Sequence, residues 1–215
     1  EVTAHIAQKL DEGKVVGWFQ GKMEFGPRAL GNRSILADAR SAGMQKKLNL
    51  KIKNREGFRP FAPSVLAEEG SVYFESKGDS PYMLFTFSLK QEHQKQVPSQ
   101  YKQLSLWDKL YYHRSTLPAI THVDFSARVQ TVHQHTNPRF HQLITRFKAI
   151  TGTPLLVNTS FNVRGEPIVC TPEEAYRCFM STDMDYLVIN NFVFCKEDQP
   201  DWQNKKTWQT NFGKD

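Results

Sequence analysis

The sequence predicts an α/β fold built as a single domain. A helical pattern is followed at once by a buried strand, a glycine-rich loop leaves that strand, and a second amphipathic helix feeds another buried strand near residue 155. At 215 residues, 39% of them hydrophobic, the chain is long enough for one core and too short for two comfortable ones.

Val2, Ile6 and Leu10 recur at i, i+4 and i+8 ahead of Gly13, which predicts a short amphipathic helix with a glycine stop. Residues 14–19 read as a buried strand. Residues 20–33 carry three glycines and a proline in a spacing that suits neither periodicity, so they predict a long ordered loop at a strand end. Within it, Gly26 to Gly31 fits one helical turn with Pro27 at its start, exposing free N–H groups beside Arg28. The run has one residue too many for a Walker A loop and arginine in place of its lysine, which excludes a P-loop. Residues 43–52 predict a helix with Leu48 and Ile52 inward. Strands follow over 61–66, 82–89, 119–123 and 128–132. Residues 90–115 are polar and without periodicity, a surface insertion.

Residues 138–150 form the clearest helix, with Phe140, Leu143, Ile144, Phe147 and Ile150 on one face and Gly152 closing it. Residues 155–157 are a short buried strand leading into Asn158-Thr159-Ser160-Phe161-Asn162. Thr171 and Glu174 form a capping box around Pro172 and start a helix that reaches Met180. Residues 186–189 and 192–195 are a closing hairpin or two edge strands. The domain therefore covers 1–197, and 198–215, with Trp202 and Trp208, is a loosely held polar tail.

The charge is uneven. Nine Lys or Arg lie between Arg28 and Arg59 against Asp38 and Glu56, so this window carries +7 and the rest of the chain −1 of the formal +6. Such a stretch attracts anions locally, whereas Lys46 and Lys47 read as a solvated helix face. Cys170, Cys178 and Cys195 are odd in number, lack CxxC spacing and sit in apolar-rich stretches, which implies neither disulfides nor zinc. The absence of an apolar run of about 18 residues and of a signal-like N-terminus predicts a soluble, cytoplasmic protein without a membrane partner.

Four places concentrate polar residues that a core does not need. They are the loop around Arg28; the series Lys51, Lys53, Arg55, Arg59, where cations converge at the end of one element and the start of the next; the stretch from His122 to Thr131; and the Asn158–Asn162 turn. Arg128 sits between Ala127 and Val129 and requires an acid or a ligand anion as partner, since burying it alone is costly. The alternation of His122 with Asp124 and of His133 with His135 permits a metal site, although paired histidines more often serve as surface or hydrogen-bonded residues. The short side chains at 158–162 also fit a side-chain-satisfied turn.

At these same places the sequence resembles the C-terminal region of the carbamoyltransferases, a family that includes nodulation-factor and aminoglycoside O-carbamoyltransferases. The stretches that carry it are GWFQGKMEFGPRALGNRSILAD, LNLKIKNREGFRPFAPSVL, SPYML, ARVQTV, NPRF and TGTPLLVNTSFNVRGEPIV, spanning nearly all of residues 14–196. The resemblance implies a YrdC-like twisted sheet with packed helices. It also implies that carbamoyl phosphate and ATP, with Mg2+ brought by the nucleotide, become carbamoyl-adenylate here, and that an N-terminal Kae1-like domain of the full-length protein transfers the carbamoyl group to a hydroxyl.

Carried over by motif, the substrate ligands are Arg28, Lys53, Arg59, Arg128, Asn158 and Ser160, of which Lys53, Arg59 and Arg128 would serve catalysis. The Arg28, Lys53, Arg59, Arg128 and Ser160 side chains are expected to converge on one concave face, and alanine at Lys53 or Arg59 to weaken carbamoyl phosphate binding with little loss of stability. The chain departs from the family where HVDG becomes His122-Val123-Asp124-Phe125, a bulky residue where glycine's backbone freedom is usual. A competing reading is an RNA-binding or tRNA-modification module of the same fold. Confinement of the charge to one window argues against nucleic acid. The oligomeric state stays open, a homodimer included. Should this part alone carbamoylate an acceptor, His122, Asp124 and Glu166 are the candidates for a base.

Overall fold

The opening periodicity becomes helix α1 (Val2–Asp11), which buries Ile6, Ala7 and Leu10 and ends before Gly13 at φ +76°. Strand β1 (Val16–Phe19) follows, buried throughout. The computed structural model describes residues 1–76 and 78–202. In it β1 turns back through residues 20–32 into β2 (Arg33–Ala37), so the long loop joins two antiparallel strands. Helix α2 (Met44–Lys47) runs into a π-helical turn (Leu48–Ile52) with Leu48 and Ile52 inward, as the sequence implies. Then come β3 (Ala62–Leu66), α3 (Gly70–Tyr73), β4 (Thr86–Ser88), α4 (Leu106–Tyr111), β5 (Ser126–Arg128) and β6 (Gln130–Val132). The chain continues with α5 (Pro138–Thr151), β7 (Leu155–Ser160), α6 (Pro172–Ser181), β8 (Tyr186–Ile189) and β9 (Phe192–Cys195).

Seven strands form one mixed sheet in the order β6-β3-β7-β2-β1-β8-β9. The β1–β8 and β3–β6 pairs are parallel and the others antiparallel, while β4 and β5 make a separate ribbon. Because side chains alternate along each strand, the sheet has two apolar faces. One packs α1 and α5 through Ile6, Leu10, Phe140, Leu143 and Phe147; the other packs the π-helical turn and α6 through Leu48, Ile52 and Phe179. Burial of each such side chain is worth about 1.5–3 kcal/mol. Helix α5 closes at Gly152 with φ +75°, and the Thr171–Glu174 capping box is formed. The expected α/β architecture with packed helices is therefore present.

Several local expectations need correction. Residues 26–31 do not wind into a helical turn, because Gly26 and Gly31 both take φ +113°. Residues 119–123 are a turn: the Ile120 N–H and the Thr121 hydroxyl both donate to the Leu117 carbonyl. The strand expected over 128–132 breaks at Val129, where the chain leaves the ribbon with β4 and joins β3, and the strand over 82–89 shrinks to β4. Ile150, placed on the inner face of its helix, is half exposed. Lys47 is half-buried, with its ammonium 3.3 Å from Asp185, and Cys170 is exposed. Within 90–115, Tyr101 and Arg114 are buried, and Arg114 donates to the Thr121 and Leu110 carbonyls and to the Tyr101 hydroxyl. In the expected tail, Trp202 packs on the core; the expectation for 203–215, Trp208 included, lies outside the described residues. Among the described residues no helix is long and apolar enough to cross a membrane.

Candidate anion site

The Arg28 loop is shaped by polar contacts rather than by regular structure. Glu24 Oε1 accepts the N–H groups of both Leu30 and Asn32, each at 2.7 Å. Gly31 donates to Ser34 Oγ at 3.1 Å, and a Cβ built on it would lie 2.3 Å from Phe140 Cδ1, so only glycine fits. At the base, Arg33 is buried, donates to the Gln20, Gly21 and Asn32 carbonyls, and stacks 3.5 Å from the Phe19 ring. One member of the basic window is thus a structural brace.

The loop is tied to the sheet by a buried amide network. Asn158, 1% exposed, donates to the Ala29 carbonyl (3.1 Å), Ser64 Oγ (2.9 Å) and Gln130 Oε1 (3.0 Å), while Gln130 Nε2 donates to the Leu30 carbonyl at 2.8 Å. Asn158 Oδ1 is buried without a hydrogen-bond partner. This network brings the loop beside β5 and β6, and so Arg28 near Arg128. Burial and the Arg28 charge together push the Arg128 guanidinium below its ordinary pKa. Neither arginine side chain forms a hydrogen bond or ion pair with the described residues, and the Nε of each is buried without a partner. Two adjacent guanidinium groups without a carboxylate are a ready anion cradle.

Lys53 and Ser160 form a second group. The Lys53 ammonium is buried and held by the Ser160 carbonyl, by Ser160 Oγ at 3.3 Å, and by the Asn162 carbonyl and Oδ1 at 2.9 and 2.8 Å. Burial, and then the Arg55 charge, push its pKa down to about 7. Contrary to expectation, its removal cannot leave stability untouched, because the Ser160–Asn162 turn is built around it. Glu166, half-buried nearby, is pushed up to about 7 by burial against the opposing pull of the Val163 backbone, Arg177 and Lys53.

Arg59 stands apart from both groups in its contacts. It is half exposed and donates to Glu56 Oε2 at 3.1 Å, while Arg164 donates to the other oxygen of that carboxylate at 2.9 Å. Arg55 lies over Phe61 and donates to Asn49 Oδ1 at 2.7 Å; burial and Arg59 push it down to about 10. Beside Arg128, Ser126 Oγ sits 2.7 Å from Asp124 Oδ1 and 3.0 Å from His122 Nδ1. Burial, the main effect, and the Arg128 and Arg114 charges hold His122 below its ordinary value despite Asp124. Phe125 takes φ +65°, a left-handed backbone that favours glycine, with its ring against Tyr101. His133 pairs with Asp79 at 3.3 Å.

The sequence reasoning missed Glu24, Ser64 and Gln130 as organisers. The one signal for Gln130 was a polar residue two positions after Arg128 in an otherwise apolar run.

The chain belongs to the carbamoyltransferase family: the model of the carbamoyltransferase C-terminus matches residues 7–196. It is 59% identical, over 96% of its length, to the uncharacterized protein sll1178 of Synechocystis sp.. It is 41% identical over 91% of its length to nodulation protein NolNO of Sinorhizobium fredii. Over 76% of its length it is 40% identical to a 3'-hydroxymethylcephem-O-carbamoyltransferase of Amycolatopsis lactamdurans. It spans only 34%, 26% and 27% of those proteins. The crystal structure of full-length HypF in the phosphate- and nucleotide-bound form shares the fold, with TM-score 0.55 and 20% identity over 88% of this chain and 25% of HypF.

Proposed function

We propose that this chain is the donor-activating part of an ATP-dependent O-carbamoyltransferase. The observation that carries the reading is the Arg28–Arg128 pair, two neighbouring guanidinium groups with buried, unpartnered Nε atoms and no acid beside them among the described residues. Carbamoyl phosphate and ATP are both multiply anionic. In the proposed sequence, water releases phosphate from carbamoyl phosphate to leave carbamate. A carbamate oxygen then attacks the α-phosphorus of ATP, a new P–O bond forms, and pyrophosphate leaves with its electron pair.

Fixed cations stabilise the charge that accumulates at phosphorus, and the rate gain comes from positioning and preorganised electrostatics. Arg28 and Arg128 would hold the phosphate oxygens, Asn158 and Ser160 would orient the small carbamoyl group, and Lys53 would fix the Ser160 turn. Arg59, already paired with Glu56, would contact the nucleotide. Mg2+ would enter as the counter-ion of the nucleotide. The acceptor hydroxyl would be served by the Kae1-like domain in the rest of a longer protein, since the relatives are about three times this length or more.

Mixing the chain with carbamoyl phosphate, ATP and Mg2+ should give carbamoyl-adenylate and pyrophosphate by mass spectrometry, and no carbamoylated acceptor. Arg28→Ala and Arg128→Ala should abolish both products. Carbamoyl phosphate binding without either product would overturn the reading; acceptor carbamoylation by the chain alone would overturn the division of labour.

A further inference from the structure

An acid in an anion-binding loop is an electrostatic disadvantage, so Glu24 calls for an explanation. Its two hydrogen bonds supply one. The peptide units just after Arg28 are gripped from both sides: Glu24 holds the Leu30 N–H, Gln130 the Leu30 carbonyl, and Asn158 the Ala29 carbonyl. The second Glu24 bond, to the Asn32 N–H, closes the loop over Gly31, whose backbone is pressed against Phe140. Nothing comparable holds the Arg28 side chain itself, and its neighbour Arg128 repels it. The loop must therefore be kept near β5 by contacts that do not involve the charge.

We propose that Glu24 is the positioning residue of the anion site, fixing the backbone so that Arg28 stays opposite Arg128 when no anion is bound. The inference rests on the anion-binding reading of the Arg28–Arg128 pair. The negative charge of Glu24 is balanced from below by Arg33, whose guanidinium it supports electrostatically. What the site needs from Glu24 is the acceptor oxygen, and a glutamine side chain supplies that without the charge.

The test is titration of the whole chain and two variants with inorganic phosphate by calorimetry, alongside amide hydrogen exchange at Leu30 and Asn32. Glu24→Gln keeps an oxygen for both N–H groups and should bind phosphate as tightly as the parent or more tightly, with both amides protected. Glu24→Ala removes the same charge together with both bonds; it should bind about tenfold more weakly, the effect of losing charge-assisted bonds, with both amides exposed. The loop is at the surface, and thermal melting of each variant confirms a folded chain. Phosphate binding by Glu24→Ala at or above the parent's affinity overturns the inference, as does equal weakening in both variants or unchanged protection. Failure of the parent chain to bind phosphate at all overturns the anion-site reading itself, and this inference with it.

Discussion

Replacing Lys53 by methionine keeps an unbranched side chain as far as Cε and removes a buried charge, and its effect on stability should depend on pH. In the folded chain this amine titrates near 7, against 10.5 when exposed. Between those values the unfolded chain binds more protons than the folded one, so stability rises with pH across the window. The burden is complete below about pH 7 and gone above 10.5. At about 1.4 kcal/mol per unit the full span is roughly 5 kcal/mol. That figure is a ceiling, since four surrounding oxygens favour the ammonium. Against this, the variant leaves the Asn162 carbonyl without its donor, a constant cost of about 1–3 kcal/mol. Urea unfolding of both proteins from pH 7 to 9.5 separates the two effects. The parent should gain on Lys53→Met by up to about 1.4 kcal/mol per pH unit. A difference that stays flat would show that the Lys53 amine is neither desolvated nor depressed, and the account of the Ser160 turn would fall.

Arg28→Ala and Arg128→Ala should each weaken carbamoyl phosphate binding by about 1.5–3 kcal/mol in calorimetry, while leaving the melting temperature equal or higher, because one of two repelling charges is gone. Lys46→Ala should change neither binding nor stability. Lys47→Ala should lower stability by about 1 kcal/mol or less in denaturant titration, through its contact with Asp185, without altering binding. Gly31→Ala should cost about 2–4 kcal/mol of stability in the same assay, since its Cβ would meet Phe140 and its backbone is at φ +113°. A neutral result there would mean that the loop does not rest on α5 as described.

The helices were legible in the sequence because their signals are local. The spacing of Phe140, Leu143 and Phe147 and the stop at Gly152 require only neighbours on the same turn or two. Strand β2 was not legible: Arg33–Ala37 is buried on both faces, so it lacks alternation, and it opens with Arg33 and Ser34, which resemble loop residues. Residues 119–123 misled for the opposite reason, since an apolar run with threonine has strand composition but serves here as a buried turn bonded to Arg114. For the site, individual cations stood out but their partners did not. Nothing in the chain order says that Arg33 faces carbonyls, that Lys53 lies inside a turn, or that Arg59 meets Glu56 while Arg28 meets no acid. Those distinctions depend on packing between distant segments, and it is the motif resemblance, rather than periodicity, that assigns Arg28 and Arg128 to one site.

The amide link between Ala29 and Asn158 joins residues 129 positions apart, and β2 has no neighbour on that side until β7 has been made. During synthesis, at about 5–20 residues per second, the β1–β2 hairpin would wait on the order of ten seconds for its central partner. Throughout that interval the face of both strands that α1 does not cover and an open hydrogen-bonding edge face the surroundings. The fold therefore has a long nascent phase in which it is exposed to misassociation, and chaperones that bind the segment 1–40 while it waits for β7 should influence its yield more than any factor acting after release.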